Sequence, residues 1–196
     1  MSDRYDISLQ TKETMIEVIA ESIRRKNQEG QLASENEIFQ ELLKQDILKG
    51  DREESRPLFK EILEETLNRY EDLEKLPDKG EGPRLYSSQF MTESYARILL
   101  QKETNVLLLI AEVVRENSAV YPRPVSLDLF EDSPFNLTQG ELQRHLEQMG
   151  KEKEYRDIKQ TTTSAGNVFL YSSSHLEPDY ASMLAEWFDV GQFNNP

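Results

Sequence analysis

The sequence predicts a mainly α, α+β chain made of two tandem copies of one small domain, each with helices plus a small β-hairpin. Three observations predict it. Short blocks of residues recur in the same order in the two halves. Apolar residues repeat at helical spacing through most of each half. In each half that period breaks once, ahead of the last helix, into a β-favouring stretch around turn residues.

The clearest repeated block is Leu85-Tyr86-Ser87-Ser88, which returns 85 residues later as Leu170-Tyr171-Ser172-Ser173. At the same offset Tyr70-Glu71-Asp72-Leu73 aligns with Tyr155-Arg156-Asp157-Ile158, and Tyr95, Ala96 and Leu99 align with Tyr180, Ala181 and Leu184. Earlier in each half, Ile19-Ala20-Glu21 and Arg24 match Ile110-Ala111-Glu112 and Arg115 at an offset of 91. Between them Leu63 and Leu67 match Leu142 and Leu146 at an offset of 79. The changes of offset fall in expected loops, where insertions are tolerated. Three blocks in one order predict a duplication, with copies at residues 1–101 and 102–196.

Each copy is expected to run helix, helix, helix, hairpin, helix. In copy one Ile16, Ile19 and Ile23 stripe a first helix, and Ile38, Phe39, Leu42 and Leu43 a second that Ser34 is placed to cap. A third starts near Pro57, a favourable first-turn residue, and carries Phe59, Ile62, Leu63, Leu67 and Tyr70. The hairpin is plainest in copy two, where Ile158 to Thr163 and Val168 to Tyr171 flank Ser164-Ala165-Gly166-Asn167. Its counterpart tip in copy one is Pro77 to Pro83. Final helices begin near Thr92 and at Pro178. Thr92 to Ala119 reads as nearly one helix, interrupted near Thr104-Asn105.

Three helices followed by a hairpin resemble the winged-helix fold, on element order and without a family motif. Pro124 to Asp128 supplies the small extra strand of that fold in copy two, and copy one shows no equally clear strand. In acidity, size and tandem arrangement the chain is similar to the kleisin-interacting winged-helix subunits of bacterial chromosome-condensation complexes. That resemblance implies a protein partner and transfers no residues.

Composition narrows the function classes. The 196 residues allow two units of about 100. Cysteine is absent, which excludes disulfides, thiolate metal sites and cysteine nucleophiles, and agrees with a reducing compartment. No apolar run reaches the roughly 18 residues of a membrane span, and the first residues do not form a secretory signal. A cytoplasmic location without membrane association is therefore expected. The net charge of −14 divides into −7 for residues 1–100 and −7 for 101–196, a field that repels nucleic acid at long range.

No residue pattern singles out catalysis, a cofactor or a metal, so a non-enzymatic chain is expected. The two histidines, His145 and His175, fall in different elements, and no phosphate loop, nucleophile elbow or metal motif occurs. The Tyr-Ser-Ser repeat could hold an oxyanion, but its recurrence at the same point of both copies favours a structural role. A winged helix that reads DNA needs a basic third helix and wing. Residues 57–84 carry a net −3, and residues 138–160 are balanced at five charges of each sign. Arg144, Lys151, Lys153 and Lys159 are the candidate nucleic-acid contacts of copy two, disfavoured by that balance.

A protein-interaction or adaptor module, with a homodimer as one arrangement, is the better-fitting reading, and a DNA-binding regulator is the alternative. Trp187, Phe188 and Phe193 are the candidate docking residues. For Trp187 and Phe188 the reading that they close the core of copy two is favoured, which leaves Phe193, harder to bury from its position, as the better docking candidate.

Overall fold

A computed structural model describes residues 9–48, 54–77 and 82–191. The chain divides into two compact units, Met1–Leu100 and Gln101–Pro196. Each is mainly helical with a small antiparallel sheet, the α+β class that the hydrophobic periods predict. No helix among the described residues is long and apolar enough to cross a membrane.

The first unit starts with α1 (Leu9–Gln28), whose buried Ile16, Ile19, Ala20 and Ile23 repeat at helical spacing and build one wall of the core. The two-residue strand β1 (Ala33–Ser34) leads directly into α2 (Glu35–Lys44). Ser34 closes a full capping box there. Its hydroxyl accepts from the Glu37 amide, and the Glu37 carboxylate accepts from the Ser34 amide at 3.0 Å. Helix α3 (Arg56–Arg69) has Pro57 in its first turn, where the missing N–H costs nothing, and buries Phe59, Ile62, Leu63 and Thr66. Phe59 meets Phe39 of α2 with ring centroids 5.3 Å apart. The hairpin β2 (Leu73–Leu76) and β3 (Arg84–Ser87) follows, then α4 (Glu93–Thr104), and the strand order is β1-β3-β2. Residues 78–81 of the expected tip lie outside the described residues.

The second unit runs α5 (Val106–Val120), β4 (Val125–Ser126), α6 (Gln139–Met149), β5 (Ile158–Thr162), β6 (Val168–Ser172) and α7 (Pro178–Asp189), the order of the first with one α-helix fewer. Its strand order is β4-β6-β5. Asn105 is the interruption between α4 and α5, its side chain accepting from the Leu108 amide at 3.0 Å. Pairing Leu73↔Ser87 through Leu76↔Arg84 in the first hairpin recurs, shifted by 85 on both strands, as Ile158↔Ser172 through Thr161↔Phe169. The short strands correspond too: Ala33 faces Leu85, and Val125 faces Leu170.

Two expectations need correction. The first unit does have a small strand, β1, which two residues are too few to announce by pattern. The second unit lacks the expected second α-helix and has a four-residue 3₁₀ turn at Leu127–Phe130. Pro134 shortly afterwards has no N–H to donate and disfavours helical backbone at Ser133. Phe130 and Phe135 are both buried and pack edge-on with centroids 5.2 Å apart.

One polar clamp ties the first helix of each unit to the base of its hairpin. In the first, Arg24 Nε and Nη2 donate to the two Asp72 oxygens at 3.0 and 2.6 Å. Ser87 Oγ donates to Asp72 at 2.7 Å, and the Ser88 amide donates to the Asp72 carbonyl at 2.7 Å. In the second, Arg115 donates to Asp157 at 2.9 and 2.7 Å, Ser172 Oγ donates at 2.8 Å, and the Ser173 amide reaches the Asp157 carbonyl at 2.7 Å. The Ser87 amide donates to Asn27 Oδ1, and the Ser172 amide donates to Ser118 Oγ, from equivalent turns of α1 and α5.

These clamps hold their carboxylates ionised. The Arg115 guanidinium, with help from Ser172, draws the Asp157 carboxyl down to about 2, and Arg24 lowers Asp72 in the same direction. Burial of the tyrosine ring, reinforced by its bond to Glu74, pushes the Tyr86 hydroxyl well above its ordinary value.

Candidate interaction surface on the last helix

The sequence of α7 is apolar on more than one side. Proline at its first position and Glu177 ahead of it set the start, and Ala181 and Ala185 are the residues it buries. Small inward residues let the helix axis come close to the sheet. The larger side chains are left outside: Tyr180 is 46% exposed, Met183 57% and Trp187 51%. Spaced three and four apart, they form one stripe, which half-buried Val190 continues.

Polar bonds fix which way α7 is turned. Ser182 Oγ lies 2.8 Å from Thr161 Oγ1 on β5. Glu186 accepts from the Ser164 amide at 2.8 Å and from its hydroxyl. Asp189 accepts from Thr163 Oγ1, and from Asn167 Nδ2 at 2.9 Å. The hairpin tip is therefore gripped by two carboxylates of α7. The Ser164 bonds lower the Glu186 carboxyl below its ordinary value, so it stays ionised at neutral pH.

Met183, Glu186, Trp187, Val190 and Gly191 line a shallow, almost wholly apolar groove of about 330 Å³. Gly191 is what lets the indole lie down along it. A Cβ at this position would stand 2.9 Å from Trp187 Cε3, closer than two carbons can approach. Trp187 is thus both exposed and seated, the combination that loses least side-chain entropy on binding.

The docking candidates separate on this geometry. Trp187 points outward and does not close the core of the second unit, which is filled by side chains such as Phe130, Leu142 and Leu170. Alanines take the inward positions of α7 instead. Phe188 is half-buried beside the stripe, and Phe193 lies outside the described residues. Tyr180 and Met183 were not among the expected docking residues. Their signal was present in the three- and four-residue spacing to Trp187.

The candidate nucleic-acid contacts are all exposed. Arg144 is on α6 and donates to the Gly140 carbonyl, Lys151 follows that helix, Lys153 opens a 3₁₀ turn at Lys153–Tyr155, and Lys159 is on β5. Glu141, Glu147, Glu152 and Glu154 are interleaved with them. His145 is half-buried on α6 and His175 is exposed in the turn before α7. Among the described residues no group of three or more His, Cys, Asp or Glu side chains could hold a metal ion. Five of the six Tyr-Ser-Ser hydroxyls are engaged: Tyr86 with Glu74, Ser87 and Ser172 with the clamp carboxylates, and Ser88 and Ser173 with the carbonyls of the same aspartates.

No solved structure matches this chain. Over 197 aligned residues it is 29% identical to "Uncharacterized protein YdhW" of Escherichia coli (strain K12), covering 98% of this chain and 86% of that one. Residues 104–193, which contain α5 to α7 and the exposed stripe, match the model of the YdhW C-terminal domain, so the second unit is similar to that domain.

Proposed function

We propose that this chain is a non-catalytic, cytoplasmic protein-interaction module of two duplicated winged-helix-like units, and that it engages a protein partner through α7. The helix, strand, helix, helix, hairpin order of the first unit and its sheet order of first, third, second strand support the winged-helix likeness. The hairpin register recurring at 85 residues, with an equivalent Arg–Asp–Ser clamp, supports the duplication. The observation that carries the functional reading is the exposed stripe of Tyr180, Met183 and Trp187 beside an apolar groove. Aromatic and methionine side chains gathered on one exposed face are the composition of an interface centre.

The test is affinity capture with the full chain, compared with Trp187→Ala and Met183→Glu, each checked for unchanged circular dichroism. A partner retained by the parent chain and lost by both variants is expected. A partner retained equally by all three would refute the assignment of α7.

DNA binding through the second unit is a competing reading, favoured by the exposure of Arg144, Lys151, Lys153 and Lys159. Against it, α7 grips the hairpin tip with Glu186 and Asp189, which sets two carboxylates where a wing would meet phosphates. Titration of a labelled mixed-sequence duplex decides between them. Non-specific binders reach a Kd of roughly 10⁻⁴ to 10⁻⁶ M at physiological salt. Binding in that range, lost in Arg144→Ala with Lys151→Ala, would replace the adaptor reading with the regulator.

A further inference from the structure

The chemistry around the stripe says what kind of partner it fits. Helix α7 carries Asp179, Glu186 and Asp189 and no lysine or arginine. Glu177 precedes it, and from residue 158 to residue 191 Lys159 is the single lysine or arginine, with His175 the one histidine. An apolar centre with a carboxylate rim is complementary to a segment that presents apolar residues on one face and cations beside them. A second copy of this chain would instead bring two such rims together, since each molecule has a net charge of −14. An anionic membrane is repelled by the same field.

We infer that the α7 surface receives a basic amphipathic helix from a partner protein, its apolar face laid along Tyr180, Met183 and Trp187 and its lysines or arginines set against Asp179 and Glu186. This rests on the proposed interaction role of α7 and adds the chemistry of the occupant. Helix-in-groove recognition needs apolar anchors at three- and four-residue spacing, which the stripe offers in mirror image. Trp187, the last of those three, is seated against Gly191 and supplies the anchoring ring.

Trp187 is also the single tryptophan of the chain, so its emission reports on this surface alone. The probes are three tryptophan-free synthetic helices of roughly 15 residues, long enough to fold on binding, with one leucine face and a polar face of lysine, glutamine or glutamate. The full chain is titrated with each while the Trp187 emission maximum is followed.

The expected result is a blue shift with the lysine helix at least about 10-fold tighter than with the glutamine helix, a preference that shrinks as salt is raised. Gly191→Ala, which displaces the indole without touching the backbone, weakens binding about 10-fold, and Asp179→Lys removes the preference for lysine. Equal binding of all three helices overturns the charge argument and leaves α7 as an interaction surface. A blue shift that grows with protein concentration alone makes a second copy the occupant and also overturns it. No shift with any probe or concentration removes both the basic partner and the interaction role of α7.

Discussion

Replacing Asp157 with asparagine tests whether the clamp stabilises the second unit as its geometry implies. The carboxylate receives two bonds from Arg115, at 2.9 and 2.7 Å, and one from Ser172, at 2.8 Å. Its side chain is 17% exposed and that of Arg115 30%, so the pair is neither fully screened nor fully desolvated. Two routes give the magnitude. A carboxyl lowered from 3.8 to about 2 corresponds to about 2 kcal/mol at 1.36 kcal/mol per unit. Stranding one member of a fully buried pair costs about 3–5 kcal/mol, and partial exposure of Arg115 brings that toward the same value.

The assay is urea unfolding followed by Trp187 fluorescence, which reports the second unit. With a slope of about 1–2 kcal/mol/M, Asp157→Asn should lower the midpoint by about 1–2 M at pH 7. The pH dependence carries the sign. Because the folded carboxyl is depressed, its contribution is complete above the unfolded value near 4 and is lost as pH falls toward 2. The parent chain and Asp157→Asn should therefore converge between pH 4 and 2. A midpoint difference below about 0.3 M at pH 7, or one unchanged at pH 2, would refute the reasoning.

Other outcomes follow from single features. Ser34→Ala removes the α2 cap and should cost about 1 kcal/mol in thermal or urea unfolding, with Ser34→Gly costing less. Phe130→Ala, at a fully buried position, should cost about 3–5 kcal/mol, whereas exposed Trp187→Ala should stay within about 1 kcal/mol, as measured by thermal unfolding. Gly166 has φ +92°, so Gly166→Ala should destabilise the second unit by about 1 kcal/mol through backbone strain, since nothing crowds its Cβ.

The architecture was legible because long apolar stripes and repeated blocks are both cooperative signals. Ile16, Ile19 and Ile23 fix a helix face, and the Leu-Tyr-Ser-Ser block recurring at 85 residues marks the central strand of each sheet, where Leu85 and Leu170 are fully buried. What escaped was local. Ala33 and Ser34 form a strand through pairing with residues some 50 positions away, which no local pattern contains. The 3₁₀ turn at Leu127–Phe130 kept the apolar residues of a helix while Pro134 denied it length. On α7 the spacing of Tyr180, Met183 and Trp187 competes with that of Ala181 and Ala185. Size suggested that the aromatics go inside, while close packing on the sheet selected the alanines. The Arg–Asp pairs were visible as aligned letters, yet their meeting across 48 and 42 residues needed the fold.

Those separations bear on how fast each unit opens. Arg115 and Asp157 lie 42 residues apart, and a bond that closes so long a loop is expected to form late on the folding route. An interaction absent from the folding transition state leaves the folding rate almost untouched and is felt in full on the way out. A stability loss of about 2 kcal/mol would then appear as roughly 30-fold faster unfolding in stopped-flow measurements, with refolding nearly unchanged. The twin clamps would act as latches that set the lifetime of the native units.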